Sequence, residues 1–181
     1  MIITGTSGKM LDVNDEQMVL VDAVKTEIEL HHNIDHQQAY ILDCSETPTG
    51  AADCFAVIQN TGPNPIVITE FVGQCAAAEV FYFNIGANGI PAGTTGVVLP
   101  VNRYAGSGNL ADAVCNRGAN ITGLTGVTVE YLAVPAAAPS VTRRWEGGIV
   151  LPNGYEISVW ATTGTNAILA SLCFYVVTHP A

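Results

Sequence analysis

Positive charge is the scarcest property of this sequence. Six bases, Lys9, Lys25, Arg103, Arg117, Arg143 and Arg144, face 16 acids in 181 residues, for a formal net charge of −10. So few cations cannot line a surface that neutralises a phosphate backbone, which argues against direct nucleic-acid binding. The same repulsion disfavours adherence to an anionic membrane. No apolar run approaches the roughly 20 residues needed to span a bilayer as a helix. The opening "MIITGTSGKMLDVNDEQ" has no basic region followed by a long apolar region, so no secretory signal is read and folding in a cytoplasm is expected.

Paired-cysteine motifs are also missing. Cys44, Cys54, Cys75, Cys115 and Cys173 are odd in number and include no CxxC, a poor match to a zinc knuckle or a disulfide framework. Buried free thiols are the expectation. Cys44 and Cys54 are the one pair to watch for a bridge, because the turn-rich "SETPTGAAD" between them can fold two strand ends together.

What the chain does have is apolar content, 49% against 12% charged residues, which marks a folded protein. Its length suits one domain burying roughly 70% of the extended surface. Helical periodicity is almost absent. From residue 38 onward short runs rich in Val, Ile, Phe and Tyr alternate with turn residues: "QAYILD" (38–43), "CFAVIQN" (54–60), "PIVITEFV" (65–72), "EVFYFNI" (79–85), "GVVLPV" (96–101), "VTVEYLAV" (127–134), "YEISVWAT" (155–162) and "AILASLCFYVV" (167–177). About eight strands in a sandwich or barrel follow from this rhythm. "AILASLCFYVV" is apolar on both faces and is expected at the centre of its sheet.

Residues 1–37 lack the rhythm and are rich in acids, with one strand-like run "QMVLVDAV" (17–24). Extended at about 3.3 Å per residue, they reach on the order of 100 Å, and they read as an N-terminal arm to a 38–181 sandwich domain. The long 102–126 segment is irregular, with one helical turn expected at "NLADAV". Residues 133–148 read as a proline-kinked connection.

Tests for chemistry return little. The segment "TEIELHHNIDHQQAY" holds His31, His32 and His36 beside Asp35, but it alternates like a strand and indicates no fourth ligand for a zinc ion bound at about 2.0–2.2 Å. It reads as a polar connector, with a pH-responsive contact as the functional alternative. "GTSGK" (5–9) is neither a GxSxG elbow nor a phosphate loop, and "GSGNL" (106–110) lacks a strand and helix around it. Glu70, Glu79, Glu130 and Glu156 sit in strand patterns where outward solvation is the default, so a sugar-cleaving carboxylate pair is not indicated. Tyr104, Trp145 and Trp160 suit packing, a protein contact or a sugar platform. Arg143 and Arg144 beside Trp145 have the composition of an interface centre, and Val19 and Val21 of the arm are the matching contact candidates. No catalytic, cofactor-binding or metal-ligating residue is assigned.

The series "LVDAV" (20–24), "HQQAY" (36–40), "TPTGAADCFAVIQNTGPNPIVITEF" (47–71), "EVFYFN" (79–84), "PVNRYAGSGNLADA" (100–113) and "GGIVLPNGYEISVWA" (147–161) resembles virion structural proteins of tailed bacteriophages. The resemblance implies an all-β jelly-roll sandwich behind an N-terminal arm. It further implies a capsid decoration or cement protein, non-enzymatic and without cofactor. Such a protein sits on the capsid exterior after assembly in the host cytoplasm, forms a homotrimer and binds the major capsid protein. The rival reading is a receptor-binding or fibre module recognising a host glycan through the 102–126 loop.

Overall fold

In the computed structural model the described residues are 2–4, 10–12, 33, 36–87, 89–135 and 140–178. Thirteen strands occur among them: β1 (Ile2–Thr4), β2 (Met10–Asp12), β3 (Ala39–Glu46), β4 (Asp53–Asn60), β5 (Ile66–Cys75), β6 (Glu79–Ala87), β7 (Ala92–Val98), β8 (Val101–Asn102), β9 (Ala113–Thr122), β10 (Val127–Val134), β11 (Val141–Leu151), β12 (Tyr155–Ala161) and β13 (Ile168–Val176). Within the arm, β1 and β2 pair antiparallel with Ile3 opposite Leu11. The run 17–24, with Val19 and Val21, lies outside the described residues, as do His31 and His32.

Two antiparallel sheets pack face to face, one ordered β11-β5-β13-β3-β8 and the other β10-β6-β12-β4-β9-β7. Eight of these strands form a rolled ribbon. Its first strand β3 pairs with its last, β13, and β4 pairs with β12. Further in, β5 pairs with β11 and β6 with β10. That nesting is the jelly roll, and β13 takes the central place in its sheet that its two-sided apolar sequence predicts.

The two sheets hold eleven strands, more than the eight expected, because of two segments and one division that the sequence conceals. Residues 113–122 were expected to be loop with a helical turn, and instead form the ten-residue strand β9. Asn116, Arg117, Gly118 and Asn120 give it poor intrinsic strand preference, and pairing with β4 and β7 overrides that preference. Gly118 is required there, since a Cβ would fall 1.9 Å from the Thr94 carbonyl oxygen of β7. The expected connection at 133–148 contains the start of β11, whose pairing with β5 is irregular between Arg144 and Ile149. The run "GVVLPV" is not one strand. Leu99 and Pro100 carry the chain from β7 in one sheet to β8 in the other, consistent with proline's inability to donate to a ladder.

Between the sheets, aromatic rings set the packing. Phe71 contacts Phe81 and Phe83 edge-on, with centroids 5.5 and 5.1 Å apart, and Tyr40 stacks on Phe174 at 5.5 Å. A fully buried phenylalanine contributes about 1.5–3 kcal/mol through its area alone. A smaller cluster of Cys54, Val57 and Ile121 lies apart from this core, packed with Leu124 and Trp160. Cys44 belongs to the main core and Cys54 to the smaller cluster, and no disulfide joins any of the five cysteines. The bridge considered from the spacing of Cys44 and Cys54 is therefore not formed.

Burial pushes the Cys44 and Cys115 thiols from 9.0 up to about 12, and burial followed by the Asp112 charge raises the Tyr40 hydroxyl from 10.0 to about 12. Above about pH 9 the unfolded chain releases protons that the folded chain keeps, so folding stability falls as the pH rises toward 12. Denaturant titrations across that window are expected to show a declining midpoint, and Cys44→Ala with Cys115→Ala is expected to flatten the decline. A colorimetric thiol reagent at about pH 8 is expected to leave Cys44 and Cys115 unmodified until the protein is denatured.

Candidate interaction surface

The sheets leave four edge strands, β10 and β11 on one side and β7 and β8 on the other. On the first side lie Arg143, Arg144 and Trp145, three of the residues singled out as an interface, and each is engaged within the chain; Val19 and Val21 lie outside the described residues. Arg143 Nε lies 2.6 Å from Glu130 Oε1, while Trp145 Nε1 donates to Glu130 Oε2 at 2.7 Å. The Trp145 ring meets Phe83 edge-on at 5.2 Å and so plugs the gap between the two sheets. Arg144 pairs across the ladder with Glu70 at 3.4 Å, its own side chain largely exposed. Beyond these pairs, Val127, Val129 and Tyr131 of β10 remain open to solvent, Tyr131 at 66%.

An aromatic ladder crosses the face of the six-stranded sheet turned away from the core. Tyr131, Tyr82 and Trp160 stand opposite one another on β10, β6 and β12. Their centroids are 5.9 and 5.7 Å apart, and Tyr82 and Trp160 are stacked within 17° of parallel. Faces that a sugar ring would stack on are thus turned toward each other, and Tyr131 is the member with a free flank. Tyr104 lies in the loop after β8, on the other side of the sandwich from the ladder.

Two strand acids expected to be solvated are buried. Glu156 Oε2 accepts from the backbone N–H of Gly89 and from Gln59 Nε2, both at 2.8 Å, pinning the loop before β7 onto the sheet. That loop is held in turn by Gly123, whose φ of +78° brings it so close that a Cβ would lie 2.3 Å from the Ile90 carbonyl oxygen. Glu79 accepts from the backbone N–H groups of Thr163 and Gly164 at 2.7 and 3.1 Å. Alternation alone could not reveal this, because the groups that compensate these charges come from loops far away in sequence. Since Ala161 is opposite Phe81, Glu79 falls level with Thr163, seven residues from Glu156. That separation is about 23 Å along the strands. A glycosidase pair needs about 5–9.5 Å.

The second side is different in chemistry. Val97, Leu99, Val101 and Leu110 are exposed by 71, 74, 60 and 69%. From Val80 to Ala111 the sequence contains no acid and a single base, Arg103. The residues that lead into β3 are held at this place. Asn102 Nδ2 donates to the Gln37 carbonyl at 2.8 Å, Asn109 Nδ2 to the His36 carbonyl at 3.3 Å, and the Arg103 N–H to the Ala39 carbonyl at 2.8 Å. Gln37 adopts a φ of +53°, a strained value for a side-chain-bearing residue, so the chain turns sharply where it leaves the domain. Of the three histidines read as a junction, His36 is the described one, half-buried at this root.

A shallow groove of about 370 Å³ lies across β3, β5 and β13, lined by Asp43, Ser45, Gln74, Arg117, Leu169 and Ser171 among others. Arg117 reaches over from β9 to the Asp43 carbonyl and to Glu46 at 3.6 Å. Among the described residues no three His, Cys, Asp or Glu side chains converge as a metal site.

Asn102 falls within the quoted run "PVNRYAGSGNLADA" but was given no role of its own, yet it anchors the root at Gln37 while its own Oδ1 accepts from the Tyr104 N–H at 2.8 Å. Asn102→Ala is expected to cost about 1–3 kcal/mol, the range for stranding buried hydrogen-bonding groups. Limited proteolysis is expected to cut that variant near residues 36–38 faster than the parent, and equal rates would mean that the root is held by other contacts.

Comparison of the chain with protein-family models, with curated proteins and with solved structures finds no match.

Proposed function

We propose that this chain is a capsid decoration protein of a tailed bacteriophage, which binds the outside of the head and holds neighbouring capsomers together. The observation that carries the reading is the concentration of exposed large apolar side chains on the two lateral sides of the sandwich, which hold seven of the twelve found among the described residues. Val127, Val129 and Tyr131 stand on one side, Val97, Leu99, Val101 and Leu110 on the other. A monomer in solution rarely leaves such groups uncovered, and two opposed adhesive sides suit a unit that bridges neighbours. One side serves contacts between copies, in a homotrimer; the other meets the major capsid protein. The net charge of −10 keeps the exterior from adsorbing released DNA.

The chemistry is non-covalent clamping, in which modest contacts repeated over a lattice add to a large avidity. It assigns no catalytic residue and no cofactor. The sequence likeness to virion proteins supports the reading, as does a jelly roll entered by an acidic arm. The glycan-binding alternative has less in its favour, because the rings of the aromatic ladder face one another.

Particles lacking the protein are expected to release DNA at lower temperature than complete ones, and added purified protein is expected to restore the difference. Val129→Asp combined with Tyr131→Asp is expected to abolish co-sedimentation with mature heads without altering the β-type circular dichroism. Equal heat resistance with and without the protein would rule out cementing. A copy number of only a few per particle would point to a fibre or vertex protein.

A further inference from the structure

We propose that residues 17–24 of a second copy of this chain add as a strand to the open edge of β7, with their apolar side chains covering Val97, Leu99 and Val101. This goes beyond the proposed function and stands apart from the virion role.

The receiving edge has unusual properties. Among the described residues β7 ends its sheet, so one row of its backbone N–H and C=O groups has no partner strand there. Its sequence "AGTTGVV" carries no charge and no proline, the devices that normally protect an edge from pairing. Its ladder with β9 is irregular between Thr94 and Gly96, as that of β11 with β5 is further along, so charge and length separate the edges: β11 carries Arg143 and Arg144, and β8 is two residues long. Leu99 and Val101 extend the apolar stripe from β7 onto the neighbouring sheet, and Leu110 continues it.

Three observations choose the occupant. First, the arm is rooted against the 102–109 segment, so every copy emits its arm beside its own stripe, and symmetric copies bring arm and stripe together twice over. Second, the length fits. Residues 25–35 are an 11-residue tether, able to span about 36 Å between the root and a docked 17–24. Third, charge does not oppose the docking. Residues 1–37 contain seven of the 16 acids and two of the six bases, whereas the stretch from Val80 to Ala111 has no acid and one base. The run "QMVLVDAV" supplies strand-forming residues with a single acid, matching an edge that offers β-branched and threonine side chains. Pairing on an exposed edge then gives backbone hydrogen bonds for affinity, and the stripe gives register.

The test co-expresses two tagged copies of the full chain, one carrying a photo-cross-linking amino acid in place of Val97. Irradiation is expected to join that position to residues 17–24 of the other tagged copy, as mapped by mass spectrometry. Native mass spectrometry of the unmodified chain is expected to show a closed oligomer. Leu99→Asp on the exposed stripe and Val19→Asp with Val21→Asp on the arm are each expected to weaken self-association by about ten- to a hundredfold. Circular dichroism of each variant establishes that the sandwich remains folded.

A monomer at micromolar concentration overturns the inference, as do cross-links confined to the arm of the same copy or falling elsewhere. Folded variants with unchanged association do so too. A chain that exchanges arms in this way and yet fails to bind phage heads upholds this inference while refuting the decoration role.

Discussion

The insertion of β13 between β3 and β5 is the constraint on which the sandwich depends. Until the last strand arrives, β3 and β5 have no common neighbour, the five-stranded sheet is two fragments, and Phe174 is missing from its stack on Tyr40. The inner pairs β6 with β10 and β5 with β11 can zip earlier, but they enclose no complete core. Closing a loop from residue 39 to residue 176 costs conformational entropy before it returns burial, which places this fold among those that assemble slowly. Its edges are exposed meanwhile, and a high negative charge is a simple protection against their association.

Acidity also has an internal use. Glu79 and Glu156 are buried on acceptor duty to backbone N–H groups of loops, and Asp53 takes the N–H groups of Thr49 and Gly50 at 3.0 and 2.7 Å. Glu130 joins two side chains of β11 to β10. Carboxylates thus act as knots that tie loops and edges to the sheets, since loop N–H groups near the sheets would otherwise be left without acceptors. A composition poor in cations is compatible with this, because the donors come mainly from the backbone.

The sequence was legible where β-branched and aromatic residues cluster between turn residues, and obscure where pairing partners decide. β4, β5, β6, β10, β12 and β13 each carry β-branched and aromatic residues and were found within a few residues of their true ends. β9 was hidden by its asparagines and Gly118, whose fitness is visible only against β7. β11 was hidden by "RRWEGG", in which a tryptophan is turned inward onto Phe83. Arg143, Arg144 and Trp145 drew notice for the right chemical reason, an affinity for carboxylates and apolar surface, but Glu130 and Glu70 of the same chain meet that affinity first. The apolar stripe went unread because Val97 and Val101 looked like the interior of one strand. Proline at position 100, which splits that run, was the available clue.

The two-residue passage through Leu99 and Pro100 has a mechanical side. It ties the edge of one sheet to the edge of the other at almost the shortest possible span, like the spine of a book. On the opposite side the sheets are joined by a longer connection between β10 and β11, supported by one ion pair and the Trp145 ring. A force pulling the sheets apart therefore meets a two-residue hinge on one side and, on the other, a longer connection reinforced by side chains. The root at Gln37 lies beside the hinge, so a load carried through the N-terminal segment bears on the side where the two sheet edges are tied by only two residues.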